Sequence, residues 1–311
     1  MEAAFDIPVL LITFNRPAYA ERVFDKVKML RPKQLFVFSD APRIGKAGED
    51  EDVNQCRALF DRANFDWDCE VHQYFSTANM GCGPGVKTAI TWAFESVEKL
   101  IVLEDDCVPD LSFFNYCKTM LARYEMDPKV MHIAGTRWNK EFDLGECDHF
   151  FCTVGHVWGW ATWKRAWKLY DYRMMSWEKN RDLEMIRKVY HKRILYQFWV
   201  DCFVDTFKNI ATTNHTWDYQ WQYTLFKNGG LSTVPKENLI TNIGEQGAHT
   251  KENDTDVSSF NRKAGQWIED KSTIVKVVTN TAYEKYHIRN FFLRDTTLKQ
   301  RLKLYIKSFI S

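Results

Sequence analysis

The chain has 311 residues, 45% hydrophobic and 27% charged, with a net charge of +1. That length suits one large domain or one and a half, with enough apolar material to bury a core. Charge this balanced supplies no field to recruit nucleic acid, and no nucleic-acid partner is expected.

Residues 8–14 form a continuous apolar run, the pattern of a strand buried on both faces. Pro17 suits the first position of a helix, and Val23, Phe24, Val27 and Leu30 follow at helical spacing. A second strand over 35–38 ends at Ser39 and Asp40. Residues 50–63 read as a helix and 70–75 as a third strand, and Val86, Ile90, Ala93 and Phe94 mark another helix. A short apolar strand at 100–103 runs into Glu104, Asp105 and Asp106. Phe113, Phe114, Cys117 and Leu121 trace the next helix, and 131–134 a fifth strand. Strands alternating with helices predict an α/β fold with a mostly parallel sheet. Ligands of such sheets sit beyond the carboxyl ends of the strands. Thr13, Asn15, Arg16, Ser39, Asp40, Glu104, Asp105 and Asp106 occupy those ends and are expected to converge.

The second half is patterned differently. Residues 150–180 are crowded with Trp, Gly and Tyr, 181–210 read as one helix, and 212–250 as short strands and loops. Asn228-Gly229-Gly230 is a turn, and 254–261 a polar loop. Residues 297–311 form a basic amphipathic helix: Leu298, Leu302, Tyr305, Ile306 and Phe309 share a face, with Lys299, Arg301, Lys303 and Lys307 around it. Such a helix docks on its domain, the preferred reading, or lies on an anionic membrane surface. The eight cysteines include no CxxC pair and no zinc spacing, and read as reduced thiols. With no basic-then-apolar leader, a cytoplasmic chain is expected, at the inner membrane surface if the tail binds lipid.

Several motifs bear on chemistry. The turn after the first strand, Thr13-Phe14-Asn15-Arg16-Pro17, lacks the GxGxxG of dinucleotide folds, and no P-loop occurs. Gly81-Cys82-Gly83-Pro84-Gly85 opens a helix, as a plain tight turn or as a place where backbone approaches a phosphate or sugar. Glu104, Asp105 and Asp106 repel one another unless a cation or hydrogen-bond donors satisfy them. Oxygen-only ligation suits Mg²⁺ or Mn²⁺. Side chains alternate along a strand, so Asp106 is the expected ligand, with Glu104 and Asp105 nearer a ribose or behind it. A solvated acidic turn is the plainer alternative.

Leu103-Glu104-Asp105-Asp106-Cys107-Val108-Pro109-Asp110, leading into Phe113-Phe114-Asn115-Tyr116, resembles the metal-binding segment of GT-A glycosyltransferases related to N-acetylglucosaminyltransferase I, in particular their shorter bacterial relatives. In the same order, residues 8–17 are similar to the family's first strand and uridine turn, and Ser39-Asp40 to the strand end that meets uracil. Trp158-Gly159-Trp160 resembles an acceptor-side segment, Trp217-Asp218 the pair carrying the catalytic base, and residues 244–249 fall near a donor-side loop. The resemblance implies a metal-dependent, inverting transfer from a nucleoside diphosphate sugar, UDP being the expected nucleotide, to a saccharide or glycan acceptor. Residues 1–135 then bind donor, 136–265 hold acceptor and catalysis, and 266–311 form a C-terminal segment. It implies Thr13, Phe14, Asn15, Arg16 and Asp40 at the nucleoside, with Gly81, Lys87, Glu104 and Asp105 also on the donor. Asp106 would hold the metal, His249 phosphate or metal, and Trp160 and Trp217 the acceptor. Asp218 is the expected base and Glu245 the runner-up. The rival readings are a nucleotidyltransferase that makes a sugar nucleotide and a non-catalytic sugar- or nucleotide-binding module.

Overall fold

A computed structural model of the chain describes residues 5–180, 183–190, 193–213, 216–244, 263–272, 274–294 and 296–309. The first half alternates as its apolar runs dictate: β1 (Val9–Thr13), α1 (Pro17–Leu30), β2 (Gln34–Ser39), α2 (Glu49–Ala58), β3 (Glu70–Phe75), α3 (Cys82–Ser96) and β4 (Lys99–Glu104). A short β5 (Cys107–Pro109) precedes α4 (Leu111–Arg123) and β6 (Val130–Ala134). The second half adds β7 (His149–Cys152), β8 (Trp160–Trp163), α5 (Lys164–Trp167), α6 (Met175–Asn180), α7 (Leu183–Val189) and α8 (Arg193–Thr213). Then come α9 (Asp218–Lys227), β9 (Leu231–Pro235), β10 (Ile240–Asn242), α10 (Thr281–His287) and α11 (Leu298–Lys307).

One eight-stranded sheet runs β3-β2-β1-β4-β8-β6-β9-β7. β1 pairs in parallel with β2 and β4, and β2 with β3, while β8 and β7 run antiparallel to their neighbours. Strands from before and after residue 135 thus share one sheet. This is the mostly parallel, helix-flanked α/β arrangement expected from the sequence. A second, two-stranded sheet joins β10 to β5, just past the acidic triplet.

Alternation along the central strands explains their continuous apolar runs. Val9, Leu11, Leu35, Val37, Ile101 and Leu103 pack on one face with α1 and α4. Leu10, Ile12, Phe36, Phe38, Leu100 and Val102 pack on the other with α3. Every second side chain faces a different helix layer, so no position is left for a polar residue until the strands end.

Two expectations need correction. The single helix expected over 181–210 is two helices, α7 and α8. Ile186, Tyr190, Leu195, Trp199 and Phe203 nonetheless share one core, although their spacing widens from four residues to five between Tyr190 and Leu195. The 212–250 stretch contains α9, a ten-residue helix buried from Gln220 to Phe226. A helix enclosed on all sides has no polar face to reveal its period.

Candidate functional site at the carboxyl ends of the sheet

Where β1 and β4 end side by side, their next residues meet. Arg16 donates to Asp105 through both Nε and Nη2, and its Nη2 also lies 3.1 Å from Asp106 Oδ2. The register that places Ile12 beside Glu104 creates this contact across 89 residues of chain. Burial works against the Arg16 charge, but Asp105 and Asp106 more than offset it and hold the guanidinium charged. Burial, with the like charges of Asp106 and Asp105, pushes the Glu104 carboxyl up to about 8. Asp105 is pushed up to about 6, burial outweighing Arg16. Three carboxylates therefore share one guanidinium, and the raised proton affinity of Glu104 and Asp105 marks a site short of positive charge.

That shortage is the fit test for a divalent cation. Among the described residues, no three His, Cys, Asp or Glu side chains form a metal-binding group. Mg²⁺ and similar hard cations need only one or two carboxylates when substrate phosphates and water complete the sphere. Asp106, with its side chain 18% exposed, fits as that carboxylate. The Cys107 thiol donates to its Oδ1 at 3.4 Å. The backbone of Gly244 presses on its other side, where any Cβ would collide with Oδ2. Ile243 N–H donates to the Asp106 carbonyl at 2.9 Å, so β10 leads straight to the cluster. Glu245 and His249 lie outside the described residues.

Asp40 does local work. Its carboxylate accepts from the N–H groups of Ala41 (2.8 Å), Met80 (2.9 Å) and Gly81 (3.0 Å), and from Asn79 Nδ2 (3.2 Å). The group expected to meet uracil is thus engaged in shaping the 79–81 loop. Burial still pushes its carboxyl above the ordinary range. Gly81 then starts α3 at φ 78, a left-handed value that glycine tolerates. Thr13 is buried at the end of β1, its hydroxyl 3.3 Å from the Phe38 carbonyl. Asn15 donates to Glu49 at 2.9 Å, and Glu49 also holds Arg43, which lies over the Phe14 ring. Lys87 is half-buried in α3. Sequence reasoning missed Glu49, Arg43 and Arg57. Arg57 donates to Ser39 Oγ (3.2 Å) and the Ser76 carbonyl (2.8 Å), binding the ends of β2 and β3 together. A single charged residue within helix α2 carries no local mark of that job.

Asp218, 114 residues beyond Glu104 in the chain, comes to the same region. Its charge acts on Glu104, and the exposed thiol of Cys82, first residue of α3, feels Glu104, Asp218 and Asp106 together. Asp218 is the first residue of α9, and the cap position belongs to Trp217. Asp218 also lines a cavity of about 200 Å³ with aromatic residues, among them Trp138, Trp158, Tyr219 and Phe291, and with His156 and Gln222. Nothing in the sequence linked Trp138 or Phe291 to this place. Phe291 arrives from a π turn (Ile288–Phe292) following α10.

Trp160 and Trp217, expected to face the acceptor, are 0% and 3% exposed and stack on each other at 5.6 Å. In this conformation neither ring offers a face to a ligand. Trp160 also stacks on His132 at 4.9 Å. The Trp221 indole donates to His132 Nδ1 at 3.0 Å, which leaves the proton on Nε2 to donate to the His156 carbonyl, also 3.0 Å away. Burial pushes the His132 pKa down to about 4. Gly159, between Trp158 and Trp160, has φ 58 and packs so tightly on Ile240 that no Cβ fits. This turn puts Trp158 in the cavity wall and Trp160 in the core.

No protein-family model matches the chain, and no curated protein matches it. Among solved structures, mouse xyloside xylosyltransferase 1 in its apo form is similar over 71% of this chain and 81% of its own, with 11% identity and a TM-score of 0.35. The 4-diphosphocytidyl-2C-methyl-D-erythritol synthase of Anaerococcus prevotii is similar over 56% and 78%, with 9% identity and a TM-score of 0.30. A UDP-glucose pyrophosphorylase complexed with UDP-glucose is similar over 53% and 79%, with 7% identity and a TM-score of 0.30. None of these three is an N-acetylglucosaminyltransferase I. Likenesses of this size assign no activity to the chain.

Proposed function

We propose that the chain is a glycosyltransferase that takes a nucleoside diphosphate sugar, with UDP as the nucleotide, and passes the sugar to a saccharide hydroxyl with inversion. The observation that carries this reading is that Asp218, which lines the aromatic cavity, lies near enough to Glu104 for its charge to act on that carboxyl. One side is built for a diphosphate, and the other carries a carboxylate beside an aromatic cavity.

Arg16 lies at the cluster and shares its charge with the diphosphate. The N-terminus of α3, shaped by Asp40 through Met80 and Gly81, directs backbone N–H groups toward anionic oxygens. The Thr13–Arg16 turn holds the nucleoside, with Asn15 fixed by Glu49. Asp218 takes the proton from the acceptor hydroxyl as its oxygen bonds to the anomeric carbon and the bond to the diphosphate breaks. A bound Mg²⁺ or Mn²⁺, held by Asp106, would stabilise the charge that builds on the departing diphosphate. Trp158, Tyr219 and Phe291 receive the acceptor ring.

The test is a screen of UDP-sugars with Mn²⁺ and simple saccharides, reading released UDP. UDP release that depends on acceptor supports transfer. Pyrophosphate from UTP and a sugar phosphate would instead assign a nucleotidyltransferase. UDP binding with neither product would assign a binding module.

A further inference from the structure

The helix α11 packs against α8, but by the face opposite to its apolar stripe. Lys307 pairs with Asp201 of α8 at 2.6 Å, Ser308 is buried and Leu304 half-buried. Leu298, Leu302, Tyr305, Ile306 and Phe309 point outward and are between 43% and 85% exposed. They fall at i, i+4, i+7, i+8 and i+11, a single stripe along about three turns. A docked amphipathic helix ordinarily buries this stripe; here it faces solvent.

The charges around the stripe are all of one sign. Residues 297–309 hold four basic side chains and no acidic one. Arg301 turns inward to the Leu293 carbonyl at 2.7 Å and Lys307 to Asp201, which leaves exposed Lys299 and Lys303 along the stripe's outer edge. Thr297 and Gln300 close a capping box, so the helix is set before anything covers it.

We infer that this face of α11 lies on an anionic lipid surface, its apolar stripe entering the interface and Lys299 and Lys303 meeting the headgroups. A second copy of the chain fits poorly. Two such helices face to face would bring their lysines together, and five side chains cover well under the roughly 800 Å² per partner of a stable dimer. An interfacial helix needs only this combination of apolar face and cationic rim. The inference does not rest on the transferase reading, and its test needs no turnover.

The experiment is co-sedimentation of the full chain with vesicles of phosphatidylglycerol and phosphatidylcholine, against phosphatidylcholine alone. The chain should sediment with the anionic vesicles and be released by salt. Lys299→Glu with Lys303→Glu should weaken partitioning at least about tenfold. Ile306→Asp should weaken it at low salt too, because the apolar face is then broken. These positions are exposed, so thermal melts of the variants should match wild type. Equal behaviour with both vesicle types would overturn the inference. So would a concentration-dependent dimer that Leu302→Asp dissolves while wild type ignores the vesicles.

Discussion

The two sides of the candidate site are made of opposite materials. On the β1–β4 side, polar groups occupy the first positions the apolar strands leave free, and their order comes from charge: Arg16 held between Asp105 and Asp106, Asp40 between the N–H groups of a loop. On the α9 side, order comes from packed rings, with Trp160, Trp217, Trp221 and His132 forming a closed cluster and Asp218 at its margin. A charge cluster binds by field and tolerates small shifts. A ring cluster binds by shape and fixes distances. A reaction that separates charge at one end and orients a hydroxyl at the other needs one of each.

The sharpest way to break this contrast is to remove the charge that the first side exists to manage. Asp106→Ala should lower UDP release about a thousandfold or more while the fold persists, because this partly exposed carboxylate is the proposed metal ligand. EDTA should match it. Full activity in either case would leave the cluster a structural ion-pair network and nothing more.

The ring side should respond to acid instead. His132 is neutral in the fold, with a pKa near 4 against 6.5 for an ordinary histidine. The unfolded chain gains a proton below 6.5 and the folded one only below about 4. The stability this group supplies is therefore complete above 6.5 and lost as pH falls through that window. A shift of that size is worth about 3 kcal/mol. His132→Asn should flatten the urea-unfolding midpoint between pH 6.5 and 4. A wild-type midpoint already flat across that window would contradict the buried neutral imidazole.

The same distinction between charge and rings sets how much of the site was legible in the sequence. The apolar runs at 8–14, 35–38 and 100–103 announce themselves as buried strands, and the residues just after a buried strand in an α/β sheet lie at a ligand-facing edge. Arg16, Asp40 and Asp106 could be named on that local ground. Their partners could not: that Arg16 meets Asp105 depends on the register of β1 against β4, and that Asp40 is taken up by Met80 and Gly81 depends on how α3 enters. Tryptophans are worse. Trp158 and Trp160 are separated by one glycine in sequence, yet the left-handed turn at Gly159 sends one to the cavity wall and the other to the core. Aromatic type alone does not carry that sign. The helices α7 and α8 feed one core, and a five-residue step from Tyr190 to Leu195 is only a faint mark of their division.

Asp218 joins the two materials, and its replacement sharpens the comparison. Asp218→Asn keeps size and can still hydrogen-bond but cannot accept a proton. Turnover should fall about a hundredfold, with donor and metal affinity unchanged. Near-normal turnover would remove Asp218 from the chemistry and make Glu245→Gln the next variant to measure.

The smallest expected effect separates the two tryptophans. Trp158 lines the cavity beside Asp218 and stands 5.0 Å from Trp138, so its ring can share the face of an acceptor sugar. Losing one such platform should raise the acceptor KM about five- to tenfold, the size of a single aromatic contact. Trp158→Ala should do this with kcat and donor KM nearly unchanged, since in the proposed mechanism the ring handles neither the diphosphate nor the proton. Trp160 is wholly enclosed, and its indole Nε1 has no hydrogen-bond acceptor among the described residues. Trp160→Phe removes that N–H along with some volume. It should lower stability by about 1–3 kcal/mol through the space left behind, and leave the acceptor KM alone. The two variants therefore exchange readouts: one moves KM at constant melting temperature, the other moves melting temperature at constant KM. If Trp160→Phe raised the acceptor KM as much as Trp158→Ala, the ring cluster would have to open to the acceptor during turnover, and the division between a binding wall and a closed core would fall.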